Sequence, residues 1–150
     1  MLKIGKKAPD FNLLSGDGKK YSLKDFAGRK LVLYFYPRDN TSGCTKEACD
    51  FRDNLPAFKK KGAVVIGVSA DSASSHQKFA KKHDLLFTLL SNEDKSMLAA
   101  YGVWKEKSMY GRKYMGVERT TILIGEKGTI TEIFSKVKVP GHVEEILSKL

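Results

Sequence analysis

Cys44 and Cys49 are the only cysteines in this 150-residue chain. They lie in Tyr34-Phe35-Tyr36-Pro37-Arg38-Asp39-Asn40-Thr41-Ser42-Gly43-Cys44-Thr45-Lys46-Glu47-Ala48-Cys49. An apolar run ends at Pro37, a polar turn follows, and Cys44 falls where a helix should begin. A helix start gathers unpaired backbone N–H groups and the positive end of the peptide dipoles. That field favours thiolate over thiol, and the thiolate is the nucleophile. Cys49, five residues on, is near enough in sequence to capture an oxidised Cys44 after some unwinding. The pattern is that of a redox thiol site.

The competing chemistries fit less well. A buried structural cysteine is the commonest fate of an intracellular thiol, but Cys44 follows a turn of Thr, Ser and Gly at a helix start. Gly43 lets a ligand approach the backbone beside the sulfur. A zinc site needs four ligands with paired cysteine spacing. Here His76, His83 and His142 are scattered, and each reads as a surface or capping residue. A dithiol electron carrier needs Cys-x-x-Cys, and four residues separate this pair. A Cys–His hydrolase has no local support.

The elements that must position this thiol follow from periodicity. Phe11 to Leu23, with Ser15-Gly16-Asp17-Gly18 at its middle, reads as a hairpin. Leu31 to Tyr36 is apolar on both alternating faces, as a central strand covered on both sides should be. Cys44 to about Lys61 reads as a helix with the stripe Cys44, Ala48, Phe51, Leu55, Phe58, and Pro56 predicts a kink or break in it. Ala63 to Ser69 is a second buried strand. Asp71 or Ser72 caps a helix reaching about Lys82, with Phe79 and Ala80 inward. Phe87 to Leu90 is a short extended segment, and a short helix over Ser96 to Tyr101 stops at Gly102. Thr120 to Ile124 and Thr129 to Phe134 form a hairpin. A last helix carries Val143, Ile146, Leu147 and Leu150 on one face.

Strands alternating with helices imply parallel strands joined by right-handed crossovers. With the closing hairpin and terminal helix, this predicts an α/β fold: a thioredoxin-like sandwich with an N-terminal β-hairpin extension. Residues 1–150 read as a single domain. The segment from Met1 to Lys7 lacks the apolar core of a secretory signal, so a cytoplasmic location is expected. The formal charge is +10. Basic residues spread from Lys3 to Lys149, and the longest run is Lys59-Lys60-Lys61. No arginine-rich stripe interleaves with aromatics, so a solvated lysine surface with weak, salt-sensitive polyanion binding is expected, not specific nucleic-acid recognition.

Pro37, Thr41 and Cys44, in Pro-x-x-x-Thr-x-x-Cys spacing, resemble the active-site motif of the peroxiredoxins. The longer stretch through Gly43-Cys44-Thr45-Lys46-Glu47-Ala48-Cys49-Asp50-Phe51-Arg52 resembles their Q-type, or bacterioferritin comigratory protein, subfamily. Gly5-x-x-Ala8-Pro9-Asp10-Phe11, Val68-Ser69-Ala70-Asp71-Ser72, Tyr101-Gly102-Val103-Trp104 and Arg119-Thr120-Thr121 fall where that subfamily has them. Ser42 departs from it, since a proline is usual there, and a looser turn is expected.

The resemblance implies that Cys44 is the peroxidatic cysteine of a thiol peroxidase acting on hydrogen peroxide and alkyl hydroperoxides. Thr41 and Arg119 would hydrogen-bond thiolate and peroxide, Pro37 would shield the sulfur, and Gly43 would add a backbone donor. Cys49 would be the resolving cysteine, giving a Cys44–Cys49 disulfide reopened by a thioredoxin or glutaredoxin-like reductant. Glu47 either orients Arg119 or is simply an acidic residue in a helix's first turn. The resemblance further implies a monomer that needs no metal, haem, flavin or nicotinamide, and with no run long enough to span a bilayer no membrane partner is expected.

Overall fold

The computed structural model describes residues 2–150. Met1, counted in the single-domain and N-terminal readings above, lies outside the described residues. Strands β1 (Asn12–Leu14) and β2 (Lys20–Ser22) pair as the expected N-terminal hairpin. Its turn is tied by Asp17, whose carboxylate accepts from Ser15 Oγ, from the Lys19 N–H at 2.9 Å and from Tyr21 Oη at 2.8 Å. A 3-10 turn over Leu23–Phe26 then leads into β3 (Lys30–Phe35).

The chain continues through α1 (Ser42–Asp53), α2 (Leu55–Lys60), β4 (Ala63–Ser69), α3 (Ala73–His83), β5 (Thr88–Ser91) and α4 (Ser96–Ala100). After these come β6 (Trp104–Met109), β7 (Arg112–Val117), β8 (Thr120–Ile124), β9 (Ile130–Phe134) and α5 (His142–Ser148). The main sheet runs β5-β4-β3-β8-β9. Strands β3, β4 and β5 are parallel, and β8 and β9 join antiparallel. This is the expected thioredoxin-like sandwich with its hairpin extension.

Central strand β3 shows why both faces must be covered. Leu31, Leu33 and Phe35 point into one core with Ile66, Val68, Leu98, Tyr101 and Ile122. Val32, Tyr34 and the following Tyr36 point into the other, with Cys44, Phe51, Phe79, Val143 and Ile146 from the helices. Alternation at period two puts successive side chains on opposite faces, so a strand buried on both reads as continuously apolar. Tyr34 stacks on Phe51 of α1 at a centroid distance of 4.4 Å. Gly67 on β4 makes room for that ring, because a Cβ there would lie 2.8 Å from Tyr34 Cζ.

Two local readings shift. The first helix starts at Ser42, two residues before Cys44, with Thr41 as its N-cap. It ends at Asp53 with Asn54 as its C-cap, and Pro56 falls in the first turn of α2, where a missing N–H forfeits no helical bond. The β6–β7 ribbon was not anticipated. It pairs only with itself, and most of its side chains are exposed, so it carries no buried face for periodicity to report.

Candidate active site

Thr41, Ser42, Gly43 and Cys44 form the cap and first turn of α1. The first helical bond runs from the Thr45 N–H to the Thr41 carbonyl at 2.9 Å. The N–H groups of Ser42, Gly43 and Cys44 therefore belong to the unpaired end of the helix, where negative charge is stabilised. Cys44 is buried, and both cysteines are free thiols.

Arg119 reaches this turn from β8. The register pairs Phe35 with Thr120, which sets Arg119 beside the point where β3 gives way to the Pro37–Thr41 turn. Its backbone carbonyl accepts from the Val137 N–H at 2.9 Å. The guanidinium then forks: Nη2 donates to Cys44 Sγ at 3.3 Å and Nη1 donates to Glu47 Oε1 at 2.7 Å. Burial works against the Arg119 charge, but Glu47 and Cys44 outweigh it and hold the guanidinium more firmly protonated. A Cβ on Gly43 would stand 3.3 Å from Arg119 Nη2, so glycine there lets the fork close on the sulfur.

Glu47 is 1% exposed. Of its two sequence readings, the geometry favours the orienting one, since its carboxylate fixes one arm of Arg119 while the other meets Cys44. Burial pushes the Glu47 carboxyl up to about 7, with the Arg119 charge opposing the shift. Its second oxygen has no hydrogen-bond partner among the described residues.

The remaining expected residues are placed as follows. Pro37 is half-buried where β3 gives way to the turn. Thr41 is exposed, and its hydroxyl donates to the Arg38 carbonyl at 3.1 Å instead of to the sulfur. Cys49 is half-buried on the same unbroken helix as Cys44. Five residues of α-helix separate two Cα atoms by about 8.6 Å, beyond the roughly 7 Å that a disulfide spans.

The histidine reading needs correction. His76 has no exposed surface, and His142 is 4% exposed. His142 meets Thr121 Oγ1 at 2.8 Å and Glu145 Oε1 at 3.2 Å, and burial lowers its pKa. His76 joins Asp39, which is buried in the turn before Cys44, at 2.8 Å. Sequence reasoning passed over Asp39 because a carboxylate in a polar turn is ordinarily solvated. It also passed over Lys107 on β6, which lies within electrostatic reach of Arg119 and Cys44. Burial is the largest influence lowering its amine, Arg119 adds to it, and Cys44 opposes it.

Residues 4–133 match the AhpC/TSA family. The chain is 50% identical over 149 residues to a putative peroxiredoxin bcp of Coxiella burnetii, covering 99% of each. It is 48% identical to peroxiredoxin Bcp of Bacillus subtilis, covering 99% of this chain and 95% of the relative. Among solved structures it resembles the bacterioferritin comigratory protein of Xanthomonas campestris, studied for alkyl peroxide reduction. That match has a TM-score of 0.91 at 40% identity over 97% of this chain and 96% of that one. A cysteine mutant of Xylella fastidiosa PrxQ matches with a TM-score of 0.94 at 40% identity over 99% and 95%.

Proposed function

The chain belongs to the AhpC/TSA family and is a Bcp-type peroxiredoxin, a thiol peroxidase, and we propose that Cys44 is its attacking thiol and Cys49 its resolving one. The observation that carries this reading is the 3.3 Å contact from Arg119 Nη2 to a cysteine in the first turn of a helix. The Cys44 thiolate attacks the distal oxygen of a hydroperoxide. A sulfur–oxygen bond forms and the oxygen–oxygen bond breaks. The distal oxygen keeps its hydrogen, so Cys44 becomes a sulfenic acid, and the departing alkoxide or hydroxide takes a proton from solvent to leave as alcohol or water. Arg119 and the first-turn N–H groups face the charge that moves from sulfur to oxygen.

The Cys49 thiol then attacks the sulfenic sulfur, water leaves, and a Cys44–Cys49 disulfide remains. A dithiol reductant of thioredoxin or glutaredoxin type reopens it by exchange. Thr41 and Pro37 line the approach to the sulfur, and Gly43 supplies a backbone donor. We read residues 1–150 as one domain acting as a monomer in the cytoplasm, because resolution within one helix needs no partner subunit. No helix among the described residues is long and apolar enough to cross a membrane.

Peroxide consumption with a thioredoxin system, compared between the wild-type chain and Cys44→Ser, tests the assignment. Loss of essentially all turnover in a variant that keeps its far-UV spectrum supports it. Substantial turnover in Cys44→Ser removes it. Insulin reduction by the wild-type chain without peroxide consumption would instead make it a dithiol carrier.

A further inference from the structure

Asp39 lies five residues ahead of Cys44 and is 5% exposed. Its Oδ1 accepts from Tyr36 Oη at 2.6 Å, and its Oδ2 faces His76 Nδ1 at 2.8 Å and accepts from Ser75 Oγ at 2.8 Å. Its own N–H donates to Asp71 Oδ2 at 2.8 Å, which also accepts from Ser69 Oγ at 2.6 Å. The other nitrogen of His76, Nε2, lies 3.0 Å from the Leu90 carbonyl. Tyr36 Oη also passes 3.3 Å from His76 Nδ1, but its proton points to Oδ1.

Both ring nitrogens of His76 thus face acceptors. The geometry is that of a buried ring held between an aspartate carboxylate and a backbone carbonyl. Burial opposes the Asp39 charge, yet the hydrogen bonds from His76, Tyr36 and Ser75 outweigh it and hold the carboxyl below its ordinary value. Asp39, Asp71 and His76 could also be grouped as metal ligands, but their atoms already serve one another and the neighbouring hydroxyls.

The place of this pair in the chain gives it a role. Arg119 is fixed from its own side by the β3–β8 register and by Val137. Cys44 is reached from β3 only through the turn from Pro37 to Thr41. Within that turn Asn40 is left-handed, with φ of 65°, a conformation that asparagine tolerates and that persists where its surroundings hold it. The first turn of α1 holds one side of Asn40, and the Asp39 contacts to α3 and the β4–α3 loop hold the other.

We propose that Asp39 and His76 form a clasp that positions Cys44, fixing where the first turn of α1 meets Arg119 and how readily that turn yields when Cys44 moves toward Cys49. Both are positioning residues, since neither touches the reacting atoms. Five residues of extended chain reach at most about 17 Å, so Cys44 can leave Arg119 while the clasp stays shut. The clasp is then a fixed pivot, and the turn rebuilds in the same place after each reduction. Its kinetic consequences rest on the peroxidase reading, but its effect on thiol reactivity does not.

The test uses Asp39→Asn, His76→Gln and the milder Tyr36→Phe, with Ile124→Val, in the other core and at the end of β8 away from the turn, as control. Capture of Cys44 by iodoacetamide at neutral pH should slow by about three- to tenfold in Asp39→Asn and His76→Gln, the effect expected of one or two hydrogen bonds. Tyr36→Phe should move it less, in the same direction. Under excess peroxide the clasp variants should also form less Cys44 sulfinic acid per turnover, because the loosened turn delivers the sulfenic acid to Cys49 sooner. Ile124→Val should lower thermal stability and leave both readouts alone. If Asp39→Asn and His76→Gln fail to fold, Tyr36→Phe decides, since it removes a single hydroxyl. Capture rates and partition matching the control in the folded variants would overturn the clasp. A wild-type chain that consumes no peroxide would overturn the peroxidase reading instead, and the capture rates would still decide the clasp.

Discussion

Arg119 Nη2 stands 3.3 Å from Cys44 Sγ across 75 positions of sequence. The contact exists because β8 runs antiparallel to β3 and ends its register at the strand that feeds the Cys44 turn. In the proposed mechanism a guanidinium so placed faces the sulfur before attack and the developing oxyanion during it. Arg119→Met keeps the bulk and removes the charged donor. Peroxide reduction should then slow on the order of 100-fold or more, and neutral-pH alkylation of Cys44 should slow with it. Stopped-flow peroxide kinetics check this, and an unchanged rate would remove Arg119 from the chemistry.

Glu47 shares that guanidinium, at 2.7 Å from Nη1. Its carboxyl is raised from 4.5 to about 7 by burial. Between those two values the folded chain keeps a proton that the unfolded chain has released. Stability from this group therefore falls as pH rises from about 4.5 to about 7 and is flat above that. Glu47→Gln keeps an acceptor for Arg119 and abolishes the titration. The stability of Glu47→Gln relative to wild type should rise between about pH 5 and about pH 7.5 in paired urea titrations. Other titrating groups are common to both chains and cancel. A difference independent of pH would remove the assigned titration.

The C-terminal half of α1 is the better anchored. Phe51 stacks on Tyr34 at 4.4 Å and meets Phe58 at 5.7 Å, and Arg52 Nη1 donates to the His83 carbonyl at 2.8 Å. The first turns bury Cys44, Glu47 and Ala48 and are held by the Arg119 fork and an exposed Lys46–Asp50 pair. Disulfide formation must break these turns, because Cys44 and Cys49 are too far apart on an intact helix. Helicity should fall on oxidation, and amides from about Thr41 to Asp53 should exchange faster, those nearest Cys44 most of all. Cys49→Ser should accumulate Cys44 sulfenic acid, overoxidise readily and turn over slowly with thioredoxin. Equal protection of the segment in reduced and disulfide forms would sink the unwinding step.

Much of this was legible in residue order. Leu31 to Tyr36 and Ala63 to Ser69 are apolar on both faces because the sheet is covered on both, so their pattern named them as central strands. The two cysteines after an apolar run and a polar turn led to the thiol site, and Arg119 came with the family resemblance. What escaped was long-range pairing among polar residues. Asp39 and His76 are 37 positions apart, and each alone reads as a solvated turn or helix residue. Only the placement of α3 beside the Pro37–Thr41 turn makes them a buried pair. The β6–β7 ribbon escaped because residues such as Lys105, Glu106 and Lys113 are exposed, leaving no hydrophobic period. The Thr41 hydroxyl was expected on the sulfur and instead caps its own turn at Arg38, a choice between two nearby acceptors that sequence spacing does not resolve.

The central claim is that Cys44 and Cys49 are one redox couple. Peptide mapping by mass spectrometry under non-reducing conditions, after one equivalent of hydrogen peroxide, tests it most directly. The account predicts loss of two hydrogens from the intact chain and a single cross-linked peptide joining Cys44 to Cys49, restored to two thiols by thioredoxin. Both cysteines remaining free thiols after the peroxide is consumed, or cross-links only between chains, would contradict it.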